Sequence, residues 1–147
     1  WECRSTFLQK SNQKKSSHDK IVSSSSPLNN QIIQTVSSFK FSTLDALKYA
    51  YISRDTNPIH LHYIPARLMG LKSTIVHGML AKARVLAQLE TVIDIQHISI
   101  DVQFKNAIFL PSQVCLNLAL SPQNNTFRLI DSDQRVTHLS GVISPST

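Results

Sequence analysis

The feature that most constrains this sequence is a change of hydrophobic period after its longest helix candidate. From Ser73 to Val92 the chain reads STIVHGMLAKARVLAQLETV, with apolar residues on most sides of a helix that begins near His77 or Gly78. Beyond it, in HISIDVQF at 97–104, apolar and polar residues alternate, which is typical of strands with one buried face. A helix that is apolar on most sides is usually buried, so the strands that follow must cover it.

The surrounding patterns predict an α+β fold, in which an antiparallel sheet wraps one long buried helix. IIQTVSSFKF at 32–41 is rich in β-branched and aromatic residues and predicts a strand. Ser42 or Thr43 then caps a helix that ends near Ser53. The later strands are predicted within 97–104, 113–121, 126–130 and 136–144.

Helical spacing also predicts which faces of the two helices are apolar. The face of the first helix comprises Leu44, Leu47 and Tyr51. The stripe of the long helix comprises Met79, Ala83, Leu86 and Leu89, widened by Leu80, Val85 and Ala87.

Composition divides the chain near residue 30. SSSSPLNN at 23–30 is typical of a linker, and the 147 residues suffice for one domain with one core. We therefore predict a tail and Ser-rich linker over 1–30 and one compact domain over 31–147. WECRSTFLQK at 1–10 would form a strand of its own.

Charge and cysteine content narrow the possible partners. The net charge is +6, and residues 1–20 hold five Lys and Arg against two acids, so half of the excess lies in the tail. No aromatic interleaving or nucleic-acid motif accompanies it, so no nucleic-acid partner is expected. No apolar run approaches the roughly 18 residues of a membrane span. Two cysteines make no disulfide framework, which favours a reducing, cytoplasmic location.

The segment RDTNPIH at 54–60 contains two candidate proton-transfer residues, an acid and a histidine. Asn57 precedes a proline and is held extended, and Pro58 fixes its own φ, so this loop is stiff. Stiffness would hold Asp55 and His60 at a set separation, as general acid–base catalysis requires. On spacing alone another interpretation stays open, in which Asp55 caps the next turn and His60 is an ordinary surface residue.

A glycine at the start of the long helix adds a second element. Gly78 would let a ligand approach the backbone closely, and the N–H groups of a helix start are unpaired and lie at the positive dipole end. That is a suitable oxyanion site. An ordinary helix-start glycine is the alternative. Together with Asp55 and His60, this site suggests a reaction of water with a polarised carbonyl compound.

These residues resemble a known family. Ser-x-Asp-x-Asn-Pro-Ile-His at 53–60, followed by Val-His-Gly-Met at 76–79, resembles the MaoC-like dehydratases, which include the (R)-specific enoyl-CoA hydratases. The resemblance covers about residues 30–143. It implies a hot dog fold, with a long helix wrapped by an antiparallel sheet, usually paired as a dimer.

The resemblance also implies roles for individual residues. Asp55 would act as base on a water that it shares with His60. The hydroxyl of that water would add to Cβ of a trans-2-enoyl thioester. Gly78 would donate its N–H to the thioester carbonyl. Asn57, His77 and Met79 are the expected substrate-binding neighbours, Asn57 by tying the loop together and His77 by packing or orienting it. The substrate would be an acyl-CoA or acyl carrier protein thioester, with no cofactor.

His60 and His62 could be two metal ligands, but no Cys or cluster of carboxylates completes a site, so no metal is expected. The sequence does not choose a phosphate-binding cation among Lys72, Lys82, Arg84 and Lys105. His97 and His138 lie in strand patterns and are assigned no role.

The chain departs from the family pattern at three points. Arg54 stands where many relatives carry Gly, and if the backbone needs positive φ there, Arg would cost about 1 kcal/mol or more. Ala107 replaces a usual Pro, and Pro111-Ser112 replace Gly-Asp, beside the expected acyl tunnel. Because some relatives are double hot dogs, the strand at 1–10 and the linker are interpreted as the end of a preceding half. Two alternatives remain: a thioesterase on the same fold, and a non-catalytic acyl-binding or dimerising module.

Overall fold

The computed structural model describes residues 5–7, 32–121 and 124–145. The Ser-rich linker and most of the 1–30 tail, including the rest of the predicted strand at 1–10, lie outside these residues. The helices are α1 (Thr43–Ser53), α2 (Pro58–Leu61), α3 (Tyr63–Leu68) and α4 (Gly78–Leu89). The strands are β1 (Ser5–Phe7), β2 (Ile32–Phe41), β3 (Ile98–Phe104), β4 (Ser112–Leu120), β5 (Asn125–Asp131) and β6 (Thr137–Pro145). The α+β class is therefore confirmed.

One sheet of order β1-β3-β6-β5-β4-β2 contains all of these strands. Every neighbouring pair is antiparallel except β1 with β3, which is parallel. Val85 and Leu89 of α4 are 1% and 0% exposed and belong to the same core cluster as inward residues of the sheet. Among the described strand residues in that cluster are Val102, Val114, Leu116, Leu118, Phe127, Leu129, Leu139 and Ile143. This wrapping of α4 by the sheet is the predicted hot dog arrangement.

The predicted stripe of α4 is wrong in part. Met79 is 45% exposed and Ala83 is also exposed, whereas Ala81, Val85 and Leu89 face inward at intervals of four residues. Because nearly every side of this helix is apolar, the helical period alone does not choose the inward face; contact with the sheet chooses it. Lys82 is buried on that side, which a long apolar stem permits.

Helix α1 begins and ends as the sequence predicts. Ser42 Oγ accepts the N–H of Asp45, and the Asp45 carboxylate accepts the N–H of Ser42 at 2.8 Å, which completes a capping box. Burial differs from the prediction, because the inward residues are Ala46 and Ala50. Leu44, Leu47 and Tyr51 are 58%, 44% and 87% exposed, since no described part of the chain covers them.

Candidate active site

The turn after α1 is held by short-range hydrogen bonds. Arg54 has φ 59° and ψ 17°, which is the left-handed conformation. Ser53 Oγ accepts the N–H of Asp55 at 3.2 Å. Asp55 Oδ1 accepts the N–H of Asn57 at 3.3 Å, forming an Asx turn. The carboxylate of Asp55 is therefore held beside its own loop while its side chain stays exposed.

The segment expected to be only a stiff loop contains the one-turn helix α2. Asn57 is its N-cap and accepts the N–H of Ile59 at 3.3 Å, and Pro58 occupies the first helical turn. An Asn cap followed by Pro at the first helical position is a known start signal for a helix. The same Asn-Pro pair is also compatible with a turn, which is how it was predicted. The turn of helix directs His60 inward, and this agrees with a structural role for Asn57.

His60 is buried and has an assigned tautomer. Its Nδ1 lies 2.8 Å from the carbonyl oxygen of Ile75, and its side chain is 9% exposed. Because a carbonyl only accepts, we assign the proton to Nδ1, which leaves a lone pair on Nε2. The N–H of Ile75 donates to the carbonyl of Ile59 at 3.2 Å, so Ile75 makes two hydrogen bonds to α2.

His77 links the loop to the start of α4. It is 2% exposed, and its Nε2 lies 3.0 Å from the backbone carbonyl of Asp55, to which it donates. Its ring stacks on His60 with centroids 3.8 Å apart, and Tyr49 lies 5.0 Å away on centroids. Its Nδ1 is buried without a partner among the described residues. Burial lowers the pKa of His77, and the carbonyl of Asp55 partly offsets this.

Three side chains converge between the loop and the helix start. One ligand atom from each of Asp55, His60 and His77 lies within 4.8 Å of the other two. That separation lets one water reach two of these groups at ordinary hydrogen-bond lengths of about 2.8 Å. The same cluster is a geometric candidate for a metal ion. However, the stacked rings of His60 and His77 lie in planes inclined by only 24°, and because imidazole lone pairs lie in the ring plane, the two rings do not converge on one ion.

Gly78 stands where α4 begins and an aromatic ring approaches. A Cβ placed on Gly78 would lie 3.2 Å from Cε1 of Phe104, so a larger side chain would displace that ring. The Gly78 N–H has no acceptor within the described part of the chain. His77, the N-cap, has φ −60° and ψ 130°, and its side chain makes no cap hydrogen bond. The first N–H groups of α4 are therefore free to bind an oxygen.

A cavity of about 360 Å³ joins His60 and Gly78. Its apolar wall is formed by residues of α4, β3, β6 and the segments between them: Val76, Ala81, Phe104, Ile108 and Leu139. Asp55 adjoins it through the approach of its carboxylate to the His60 ring. Asn57 and Met79 are not among the described residues that line it. Phe104 and His138 line it and were missed, because a strand pattern predicts burial but not nearness to a site.

The four candidate cations lie in different places. Lys105 lines the cavity that contains His60. Lys72 lies over the ring of Phe109, with Nζ 4.4 Å from its centroid. Arg84 lies over the rings of Phe39 and Phe41, and Lys82 is buried. Lys105 is therefore the cation best placed to meet a ligand of this cavity.

Comparison with known proteins defines the family. The MaoC-like domain matches residues 25–142, so the chain belongs to the MaoC-like dehydratase family. A 72-residue segment is 36% identical to 3-hydroxyacyl-thioester dehydratase X of Mycobacterium tuberculosis, covering 49% of this chain and 25% of that protein. The structure of HtdX from the same organism matches with a TM-score of 0.69 and 26% identity, over 76% of this chain and 47% of that one.

A third comparison supports the fold. The R-hydratase PhaJ1 of Pseudomonas aeruginosa matches with a TM-score of 0.67 and 20% identity, over 82% of this chain and 84% of that one. The fold is the hot dog fold. The chain spans about half the length of the HtdX structure. In the described ranges no helix has the length and apolarity needed to cross a membrane.

Proposed function

We propose that this domain catalyses reversible hydration of trans-2-enoyl thioesters to (R)-3-hydroxyacyl thioesters. The observation that carries the proposal is the approach of Asp55 and His60 within 4.8 Å, beside a cavity that also contains the helix start at Gly78. The name of the mycobacterial relative, a 3-hydroxyacyl-thioester dehydratase, supports the same chemistry in the reverse direction.

Asp55 and the lone pair on His60 Nε2 would hold one water. As the water oxygen bonds to Cβ, its proton passes to the Asp55 carboxylate, and the π electrons of the double bond move towards the thioester carbonyl. Asp55 then passes that proton to His60, and His60 delivers it to Cα. One water is added in all, and both side chains return to their starting states. By general magnitudes, such acid–base assistance accelerates a reaction roughly 10²- to 10⁴-fold.

Gly78 would stabilise the negative charge that develops on the thioester oxygen. Its backbone N–H lies at the positive end of α4 and is free of partners in the described residues. Loss of a single donor of this type typically lowers kcat by about 10²- to 10³-fold. Phe104 lies beside the same residue, with its Cε1 3.2 Å from where a Cβ on Gly78 would stand.

The neighbouring residues would support this pair. Asn57 caps α2 and so sets the direction of His60. His77 binds the backbone of Asp55 and stacks on His60, which makes it a positioning residue. Met79, half exposed on α4, would contact a substrate only where a partner domain covers this face.

The substrate would be carried on CoA or an acyl carrier protein, with Lys105 nearest to receive its polar part. The exposed apolar face of α1, formed by Leu44, Leu47 and Tyr51, would be covered by a second copy or by a preceding hot dog half. The half-length match to HtdX favours the preceding half. A cytoplasmic location stays a prediction.

The test is loss of enoyl absorbance when crotonyl-CoA is added to the full chain. We expect Asp55→Asn to lower the rate roughly 10²- to 10⁴-fold, and the exposed turn variant Asp133→Asn to leave it unchanged. Release of free thiol would instead identify a thioesterase. Binding of crotonyl-CoA without turnover would identify a non-catalytic acyl-binding module.

A further inference from the structure

Side chains bind both backbone polar groups of Asp55. Its N–H donates to Ser53 Oγ at 3.2 Å, and its carbonyl accepts a hydrogen bond from His77 Nε2 at 3.0 Å. These two groups stand on either side of the Cα, and a residue has only two soft backbone dihedrals. Holding both groups therefore fixes the direction of the Cα–Cβ bond, and with it the place from which the carboxylate approaches His60.

The hydroxyl of Ser53 also binds α1. Ser53 is the last residue of that helix, and its Oγ donates to the backbone carbonyl of Tyr49, one turn earlier, at 2.7 Å. A hydroxyl has one hydrogen to donate and lone pairs to accept, so it makes both bonds at once. Between Ser53 and Asp55 the chain leaves the helix through the left-handed Arg54. Ser53 thus joins the residue beyond this change of direction to the last turn of α1.

The other hydrogen bonds of Asp55 lead to different helices. His77, which binds its carbonyl, is the N-cap residue of α4. Asn57, whose N–H donates to Asp55 Oδ1 at 3.3 Å, is the N-cap residue of α2. Asp55 is therefore the point at which the end of α1 and the starts of α2 and α4 are joined, and Ser53 makes the connection to α1.

This connection concerns geometry more than stability. The side chain of Ser53 is exposed, so water can replace either partner of its hydroxyl at little net cost in free energy. Water is not attached to α1, however, and does not hold Asp55 at a fixed place relative to that helix. Alanine is also a better helix former than serine, so a variant without the hydroxyl should still fold.

We propose that Ser53 is a positioning residue for the reaction, whose hydroxyl holds the backbone of Asp55 relative to α1 as His77 holds it relative to α4. Ser53 acts only through Asp55, and no proton of the reaction passes through it. This inference rests on the proposed function, since it assumes that Asp55 is the base.

The experiment compares Ser53→Ala, which removes the hydroxyl, with Ser53→Thr, which retains it, in hydration of crotonyl-CoA by the full chain. Because misplacement of about 1 Å costs up to roughly 10²-fold, we expect Ser53→Ala to lower kcat about 10-fold and to change KM by less than about 2-fold. Ser53→Thr should stay within about 3-fold of the parent kcat, since it offers the same donor and acceptor.

Ser42→Ala is the matched control at the other end of α1. Ser42 Oγ caps this helix, so its loss should lower the melting temperature and leave kcat unchanged. Ser53→Ala should show the opposite pattern, with a lower kcat at a nearly unchanged melting temperature. Equal kcat values in the parent, Ser53→Ala and Ser53→Thr would overturn the proposal, as would an equal loss of kcat in Ser42→Ala.

Exchange of the Asp55 amide proton with water, measured by NMR, tests the hydrogen bond without turnover. We expect exchange about 10-fold faster in Ser53→Ala than in the parent, and close to the parent rate in Ser53→Thr. If the parent hydrates crotonyl-CoA and Ser53→Ala keeps its kcat, the role of Ser53 is wrong while the proposed function stands. If the parent hydrates nothing, the proposed function fails; faster exchange in Ser53→Ala then still supports the connection to Asp55, and unchanged exchange rejects it.

Discussion

The imidazole rings of His60 and His77 stack with centroids 3.8 Å apart and planes inclined by 24°. Two rings at this distance are not easily cationic at the same time, because like charges repel strongly away from water. His77 donates its one N–H to the carbonyl of Asp55 and is 2% exposed, so it is the ring that stays neutral. This leaves His60 as the member of the pair available for proton transfer.

Replacing His77 tests its positioning role. His77→Leu removes both the stacked ring and the hydrogen bond to the Asp55 backbone, so the carboxylate should lose its alignment. Because misplacement of about 1 Å costs up to roughly 10²-fold, we expect kcat to fall about 10- to 100-fold with a smaller change in KM. His77→Gln retains an N–H donor and should recover part of the loss.

The measurements are kcat, KM and the pH profile of kcat, taken well below the melting temperature. If His77 only stabilised the fold, its replacement would lower the melting temperature without changing kcat, KM or the pH profile of kcat. His97→Asn provides the control at an exposed histidine.

Stability should fall as the medium becomes acidic. The pKa values of His77 and His138 are lowered below their ordinary 6.5 in the folded chain, chiefly by burial. Below about pH 6.5 the unfolded chain therefore binds protons that the folded chain does not, and stability decreases as pH falls. Melting temperature measured between about pH 7.5 and pH 5 should decrease in the parent. The double variant His77→Leu/His138→Leu should show a shallower slope, whereas the exposed His62→Asn should not; equal slopes would contradict the assignment.

Glycine at position 54 should stabilise the domain. Arg54 is in the left-handed region at φ 59°, which costs an ordinary residue roughly 1–2 kcal/mol. The greater freedom of glycine in the unfolded chain offsets part of that gain, so Arg54→Gly should raise the free energy of unfolding by about 0.5–1 kcal/mol. Arg67→Gly, inside α3, should lower it by about 1 kcal/mol. Denaturant unfolding measures both, and the same sign for the two variants would contradict this account.

The role of the Gly78 N–H is separable from the packing of Gly78. Gly78→Ala should lower stability, because its Cβ would meet the Phe104 ring at 3.2 Å, and adding Phe104→Leu should relieve that contact. Gly78→Pro/Phe104→Leu then differs mainly in lacking the N–H. Proline is tolerated at the first helical position, and His77 already has the extended backbone that a following proline requires.

We expect kcat of Gly78→Pro/Phe104→Leu to be about 10²- to 10³-fold below that of Gly78→Ala/Phe104→Leu at similar melting temperatures. Equal kcat values in the two double variants would exclude this N–H as the oxyanion donor.

Much of the fold was predictable because its signals are local. The period of two in β3 to β6, the capping box at Ser42 and the end of α1 near Ser53 all depend on neighbours a few residues away. Helix α2 was missed, although its Asn-Pro start signal is present, because one turn of helix has no hydrophobic period to detect.

The inward faces of the helices were not predictable in the same way. Ala81, Val85 and Leu89 face the sheet while Met79 and Ala83 do not, and on α1 the small Ala46 and Ala50 are buried instead of Leu44 and Leu47. In both helices more residues are apolar than one face can bury. The choice depends on which residues meet the rest of the fold.

The sequence by itself determined the elements of the domain and the residue types at its reactive loop, since propensity, capping and period act over a few residues. Only the tertiary structure decided that His77 stacks on His60, that Phe104 lies beside Gly78 and that His138 lines the cavity that contains His60. Those relationships join residues that are 17 to 78 positions apart. They arise from the packing of the sheet around α4, for which no local signal in the chain exists.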